Sequence, residues 1–237
     1  KIVYFGDTAR VPYGNKSRET VIRYSHQICR FLQEQQVKAI VVACNTASAF
    51  ALDAIRDDFD IPIIGVIEAG AKVAAARTRN KRVGIIGTVG TVGSGIHAEY
   101  LRKLDPEITV FGKACPLFVP LVEEGWLHDP VTTEVAVRYL RELQDKKVDT
   151  LILGCTHYPL LRSTIREIMG EDVCLVNPAY ETALELGRLL TEKGLSSTGA
   201  QQKEFPYRFF VSDLADEFKE FANSILPYDV EMTKKIV

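Results

Sequence analysis

Short apolar, β-rich runs alternate with segments of helical periodicity along the whole chain, and this alternation restricts the fold more than any other feature. Residues 2–5, 39–43, 62–66, 82–86, 110–113, 150–153, 173–176 and 207–211 read as strands, with a last one at 229–234. Helical patterns fill the intervals at 17–35, 47–58, 69–77, 96–103, 132–144, 159–169, 182–193 and 213–225. Runs such as 39–43 and 150–153 are continuously apolar, so both faces of each strand must be buried. Parallel strands covered by helices on both sides meet that demand, which predicts the doubly wound α/β class. Ligands of such sheets gather beyond the carboxyl ends of the strands. The residues that follow each run are therefore where chemistry is sought.

Two of those strand ends are built alike. The run 39–43 leads into Cys44 and the run 150–154 into Cys155, each trailed by small polar residues (Asn45 and Thr46, Thr156 and His157) and then a helical pattern. Pro159 stands where a first helical turn accepts proline. A helix N-terminus offers unpaired N–H groups and a favourable dipole, so both thiols are predicted to be lowered in pKa toward neutrality. Two thiols set at two strand mouths suggest a site with two faces. A small amino or hydroxy acid would lie between them, its carboxylate on the N–H groups. One thiolate would take a Cα proton and the other thiol would return one from the opposite side. Nucleophilic catalysis is the rival role, but no chain position suggests an oriented histidine-plus-acid pair. His157 either tunes Cys155 or bonds within its own loop.

Composition narrows the remaining classes. The 237-residue chain is near neutral, at net charge −2, and has no lysine–arginine block. Nucleic acid and membrane surface are therefore not expected partners. No apolar run approaches the roughly 20 residues of a membrane span, and the start lacks a signal-peptide pattern. Five cysteines without a CxxC spacing support neither a zinc cluster nor a disulfide framework, and a reducing cytoplasm is expected. Cys29, Cys115 and Cys174 read as small core residues, Cys29 on the helix face of Ile22, His26 and Leu32. The glycine-rich stretch 87–95 leads into a formal GxGxxA match from Gly93 to Ala98. That match starts too far past its strand for a dinucleotide site. The stretch is predicted to be a loop in which Thr88, Thr91 or Ser94 donates to a small anion. The polar segment 196–204 reads as a surface loop.

Together these residues resemble glutamate racemase, the cofactor-independent enzyme that supplies D-glutamate for bacterial peptidoglycan. The match is carried by YFGDTARVPYG at 4–14, ACNTASA at 43–49, the pairs Gly87–Thr88 and Gly90–Thr91, PLFVPLVEEG at 116–125 and GCTHYPLL at 154–161. The last segment sets the chain apart from aspartate and hydantoin racemases. The resemblance implies Cys44 and Cys155 as the two acid–base catalysts. Pro12, Tyr13, Gly14, Asn45, Thr46, Thr88, Thr91, Thr156 and His157 would line the glutamate site, with Glu123 or Glu124 assisting near the second thiol. It further implies two similar α/β domains facing each other across the site, 1–67 with 180–237 and 68–179. Neither metal nor cofactor is implied, and a cytoplasmic homodimer is. The family pattern opens with a strand and an Asp-Ser-Gly loop ahead of residue 4. On that comparison the chain as given is expected to be less stable and poorly active. The competing expectations are a racemase of another small amino acid and a non-catalytic glutamate-binding or interaction protein.

Overall fold

The computed structural model describes residues 1–197, 207–227 and 229–234, so most of the loop expected at 196–204 lies outside the described residues. The strands are β1 Val3–Gly6, β2 Ile40–Val42, β3 Ile63–Gly65, β4 Arg82–Gly87, β5 Thr109–Ala114, β6 Thr150–Gly154, β7 Cys174–Val176, β8 Arg208–Val211 and β9 Met232–Lys234. The helices are α1 Arg18–Glu34, α2 Asn45–Phe50, α3 Leu52–Arg56, α4 Ile67–Arg77, α5 Val89–Gly93, α6 Ile96–Leu104, α7 Phe118–Glu123, α8 Pro130–Asp145, α9 Arg162–Met169, α10 Pro178–Glu192 and α11 Ala215–Ile225.

Local chemistry explains the long helices. Ser17 caps α1 by accepting from the Thr20 N–H. Asp129 and Asn177 cap α8 and α10, each followed by a proline that needs no hydrogen bond at the first helical position. Elsewhere the structure departs from the sequence reading. The helix predicted at 47–58 is two, α2 and α3, which meet at Ala51. The one predicted at 159–169 begins as a 3-10 turn, Tyr158–Leu161, before α9. The glycine-rich stretch is not wholly loop, because Val89–Gly93 forms a turn of helix capped by the Thr88 hydroxyl. No element was predicted where α7 lies.

All strand pairs are parallel among the described residues. They form a four-stranded sheet in the order β5-β4-β6-β7, a three-stranded sheet β1-β8-β9 and a two-stranded sheet β2-β3. In the largest sheet every residue of β6 is buried, which accounts for its unbroken apolar run. Phe118, Leu140, Leu143, Tyr158 and Ile165 from α7, α8, α9 and the 3-10 turn cover one face. Ala71, Ala74 and Leu101 from α4 and α6 cover the other, against Ile85 and Ile152. Each fully buried Leu or Ile there contributes about 1.5–3 kcal/mol. The smaller sheets behave differently. β1 and β2 flank α1 in sequence yet are not hydrogen-bonded to each other, and Tyr4 and Val41 are 36% and 37% exposed. Cys29 lies on the buried stripe of α1 with Val21 and Ser25, whereas Ile22, His26 and Leu32 are only partly buried. Cys115 is fully buried and Cys174 partly so. No helix among the described residues is long and apolar enough to cross a membrane.

Candidate active site

The register of the large sheet fixes one half of the site. Gly87 of β4 lies opposite Gly154 of β6, so Thr88 and Cys155 leave neighbouring strand ends, about 4.8 Å apart in a sheet. A β-carbon at Gly154 would stand 2.7 Å from the carbonyl oxygen of Ile86. Backbone cannot yield as a flexible side chain does, so Gly154→Ala is expected to cost about 1–3 kcal/mol of stability. A lowered urea midpoint, with activity falling as Cys155 is displaced, would register it.

Three threonines join this half to the other. The hydroxyl of Thr46, the second residue of α2, lies 2.9 Å from that of Thr88 and 3.0 Å from that of Thr91. The Thr88 hydroxyl donates to Thr91 at 3.1 Å and accepts from the Thr91 N–H, also at 3.1 Å. Gly14 packs on the same threonine, since a β-carbon there would meet the Thr88 Cβ at 2.4 Å. Cys44 is the residue that caps α2 and immediately precedes this cluster. Cys155 senses Cys44: a negative charge on Cys44 helps to push the Cys155 thiol upward.

The direction of the thiol shifts reverses the sequence expectation. Burial raises Cys44 above the ordinary cysteine value and drives Cys155 up to about 12. The helix-start donors do act in the predicted sense. N–H groups of Ala47 and Thr46 lower Cys44, and those of His157 and Thr156 lower Cys155. Removal from water outweighs them.

A second correction concerns Cys155. His157 Nδ1 lies 3.8 Å from its sulfur, and His157 Nε2 is 3.2 Å from Glu123. An oriented histidine-plus-acid pair is therefore present, although spacing did not reveal it, because α7 delivers the acid from 34 residues upstream. Glu123, rather than Glu124, is the carboxylate that reaches the ring. Burial lowers the His157 pKa and Glu123 partly opposes this. The Thr156 hydroxyl is 3.4 Å from the same Nδ1. Beneath the turn, the Tyr158 hydroxyl donates to the Cys115 carbonyl at 2.8 Å and holds the segment against the core.

On the other side, Pro12 is exposed at the head of a turn that buries Tyr13 and Gly14. The Tyr13 hydroxyl donates to Asp7, which also accepts from Arg10 Nε at 2.8 Å and from the Ser212 hydroxyl at 2.9 Å. Burial and the Asp7 bond hold the Tyr13 phenol far above its usual value. This anchorage was missed in the sequence; Asp7 and Ser212 are 205 positions apart, and no local pattern pairs them. Asn45 is 5% exposed, and its side-chain carbonyl oxygen has no hydrogen-bond partner among the described residues. A buried acceptor left open beside Cys44 suits a ligand that brings a donor.

A parallel α/β chain with paired strand-end thiols and an open acceptor beside one of them fits a class of acid–base enzyme acting on small molecules. The chain belongs to the Asp/Glu/Hydantoin racemase family, whose model matches residues 1–184. Membership makes it an isomerase. Its relatives include a glutamate racemase of Geobacter metallireducens, 50% identical across 94% of this chain and 82% of that protein. The glutamate racemase isoform RacE1 of Bacillus anthracis superposes with a TM-score of 0.95 at 38% identity, covering 100% of this chain and 88% of that one. A Francisella tularensis glutamate racemase solved with D-glutamate gives 0.90 at 39% identity, over 100% and 87% of the two chains.

Proposed function

We propose that this protein interconverts L- and D-glutamate, with Cys44 and Cys155 as the two acid–base groups. The observation that carries the reading is the pair of thiols at matching strand ends, near enough that charge on Cys44 raises Cys155, in a chain half identical to a glutamate racemase. One cysteine thiolate takes the Cα proton and becomes a thiol. The opposing thiol gives its proton to the other face of the carbanion and becomes the thiolate. Atoms and charge balance over the turnover. The open Asn45 oxygen accepts from the substrate ammonium. N–H groups at the start of α2 and after Cys155, with the Thr46, Thr88 and Thr91 hydroxyls, hold the carboxylates. Tyr13 and Gly14 wall the site, the former fixed through Asp7. The same proposal treats 1–67 with 180–237 and 68–179 as two domains, because no strand pairing among the described residues crosses that division.

His157 and Glu123 serve the Cys155 side. His157→Asn is expected to lower kcat about ten- to a hundredfold while leaving the KM for glutamate within a few-fold, and Glu123→Gln to do the same more weakly. Steady-state kinetics in both directions checks this; an unchanged kcat removes the pair from the chemistry.

The central test follows the circular dichroism of L-glutamate against L-aspartate in deuterated buffer. Decay with glutamate and deuterium entry at Cα supports the reading. Decay with aspartate alone reassigns the substrate, and D-glutamate binding without exchange makes the protein a binder. A homodimer and a reducing cytoplasm complete the proposal. Exposed Leu117, Trp126 and Val131 offer apolar surface for the first, and the free thiols suit the second.

A further inference from the structure

Against α5, with neither thiol in its lining, lies a cavity of about 90 Å³ bordered by Thr91, Val92, His97, Ile85 and Val110. It reaches the surface past Gly95 and Gly112, both of which are exposed. His97, the second residue of α6, is 2% exposed, and neither ring nitrogen has a hydrogen-bond partner among the described residues. Buried polar atoms are nearly always paired, and leaving a ring nitrogen unpaired is unfavourable. At about 30 Å³ per water, the space takes about three waters or an organic molecule of about four non-hydrogen atoms.

We propose that this cavity binds a small neutral hydroxyl compound, its oxygen on His97 and its carbon skeleton against Ile85, Val92 and Val110, and that occupancy is transmitted to the glutamate site through Thr91. A hydroxyl both donates and accepts, so it satisfies whichever nitrogen of a neutral imidazole faces it. The ring is neutral at pH 7, since burial lowers its pKa to about 4, and the apolar walls give an anion no counter-charge. Water would leave bonds unmade along those walls, whereas an alcohol turns its methyl groups to them. Thr91 lines the cavity and also bonds Thr46 and Thr88. A ligand seated beneath α5 therefore stabilises one position of that turn.

The probe is 2-propanol, titrated into the full chain labelled at isoleucine and valine methyl groups. Saturable shifts confined to the Ile85, Val92 and Val110 methyls are expected, weakened at least about tenfold in His97→Phe, which keeps a ring but removes its nitrogens. Gly112→Ala supplies a second variant: its methyl would stand 2.8 Å from Val92, fill the cavity from β5 and also weaken binding. Shifts that are linear and spread over the surface, or equal in wild type and both variants, overturn the site. The KM for glutamate is expected to change at least about twofold as the site saturates; an unchanged KM beside saturable shifts overturns the transmission. Only this second arm rests on the proposed glutamate site, so failure of that reading leaves the methyl titration standing.

Discussion

Replacing Cys44 or Cys155 with serine is expected to lower glutamate racemisation by at least about a thousandfold, since each change removes one of two obligatory proton carriers. A serine hydroxyl is a far weaker acid than a thiol. In a site that already raises thiols by burial, its alkoxide is out of reach near neutral pH. The substitution is close to isosteric, so far-UV circular dichroism should be unchanged and the loss chemical. The variants are also expected to differ in hand. With an analogue that expels a leaving group after Cα–H cleavage, only one proton transfer is needed. Each variant should then turn over a single enantiomer, and the two should prefer opposite ones. Equal activity in both variants, or the same surviving enantiomer, would contradict a division of labour between the sulfurs.

The value of kcat/KM is expected to climb with pH, by up to about tenfold per unit between about pH 6 and 8. Burial raises Cys44 and carries Cys155 to about 12, so the reactive thiolate is a minor species whose fraction grows as protons are withdrawn. The partner thiol, also raised, stays protonated across that window. Folding stability should respond in the opposite sense. Cys155 and Cys115 are held near 12 and Cys29 near 11, whereas an unfolded thiol ionises near about 8.5. Below that value both states keep their protons and the contribution is complete. Above it the unfolded chain loses protons that the folded one retains, so stability drains away as pH rises toward the folded values. Urea midpoints falling from pH 8 to pH 10 would show it; a flat profile would mean that these thiols are wetter than their burial indicates.

Strands and helices were legible because their signals are local. The unbroken apolar run of β6 reports two covered faces, and Asn177 with Pro178 marks the start of α10. α5 was not legible. Its five residues include two glycines, and it exists because Thr88 caps it and Thr46 and Gly14 pack on it. The placement of Cys44 and Cys155 just past β2 and β6 also followed from local pattern. Their ionisation did not: the N–H groups act as predicted, but desolvation depends on what the rest of the chain lays over the sulfurs.

Local pattern alone settled where the strands and the long helices run, and that both cysteines stand where a parallel sheet opens. Tertiary structure alone decided that Glu123 reaches His157, that Ser212 helps fix Asp7 beneath Tyr13, and that three threonine hydroxyls close on one another. The reason is range. Strand and helix preferences arise among residues a few positions apart, whereas burial, ion pairing and convergence join groups that are neighbours only after folding.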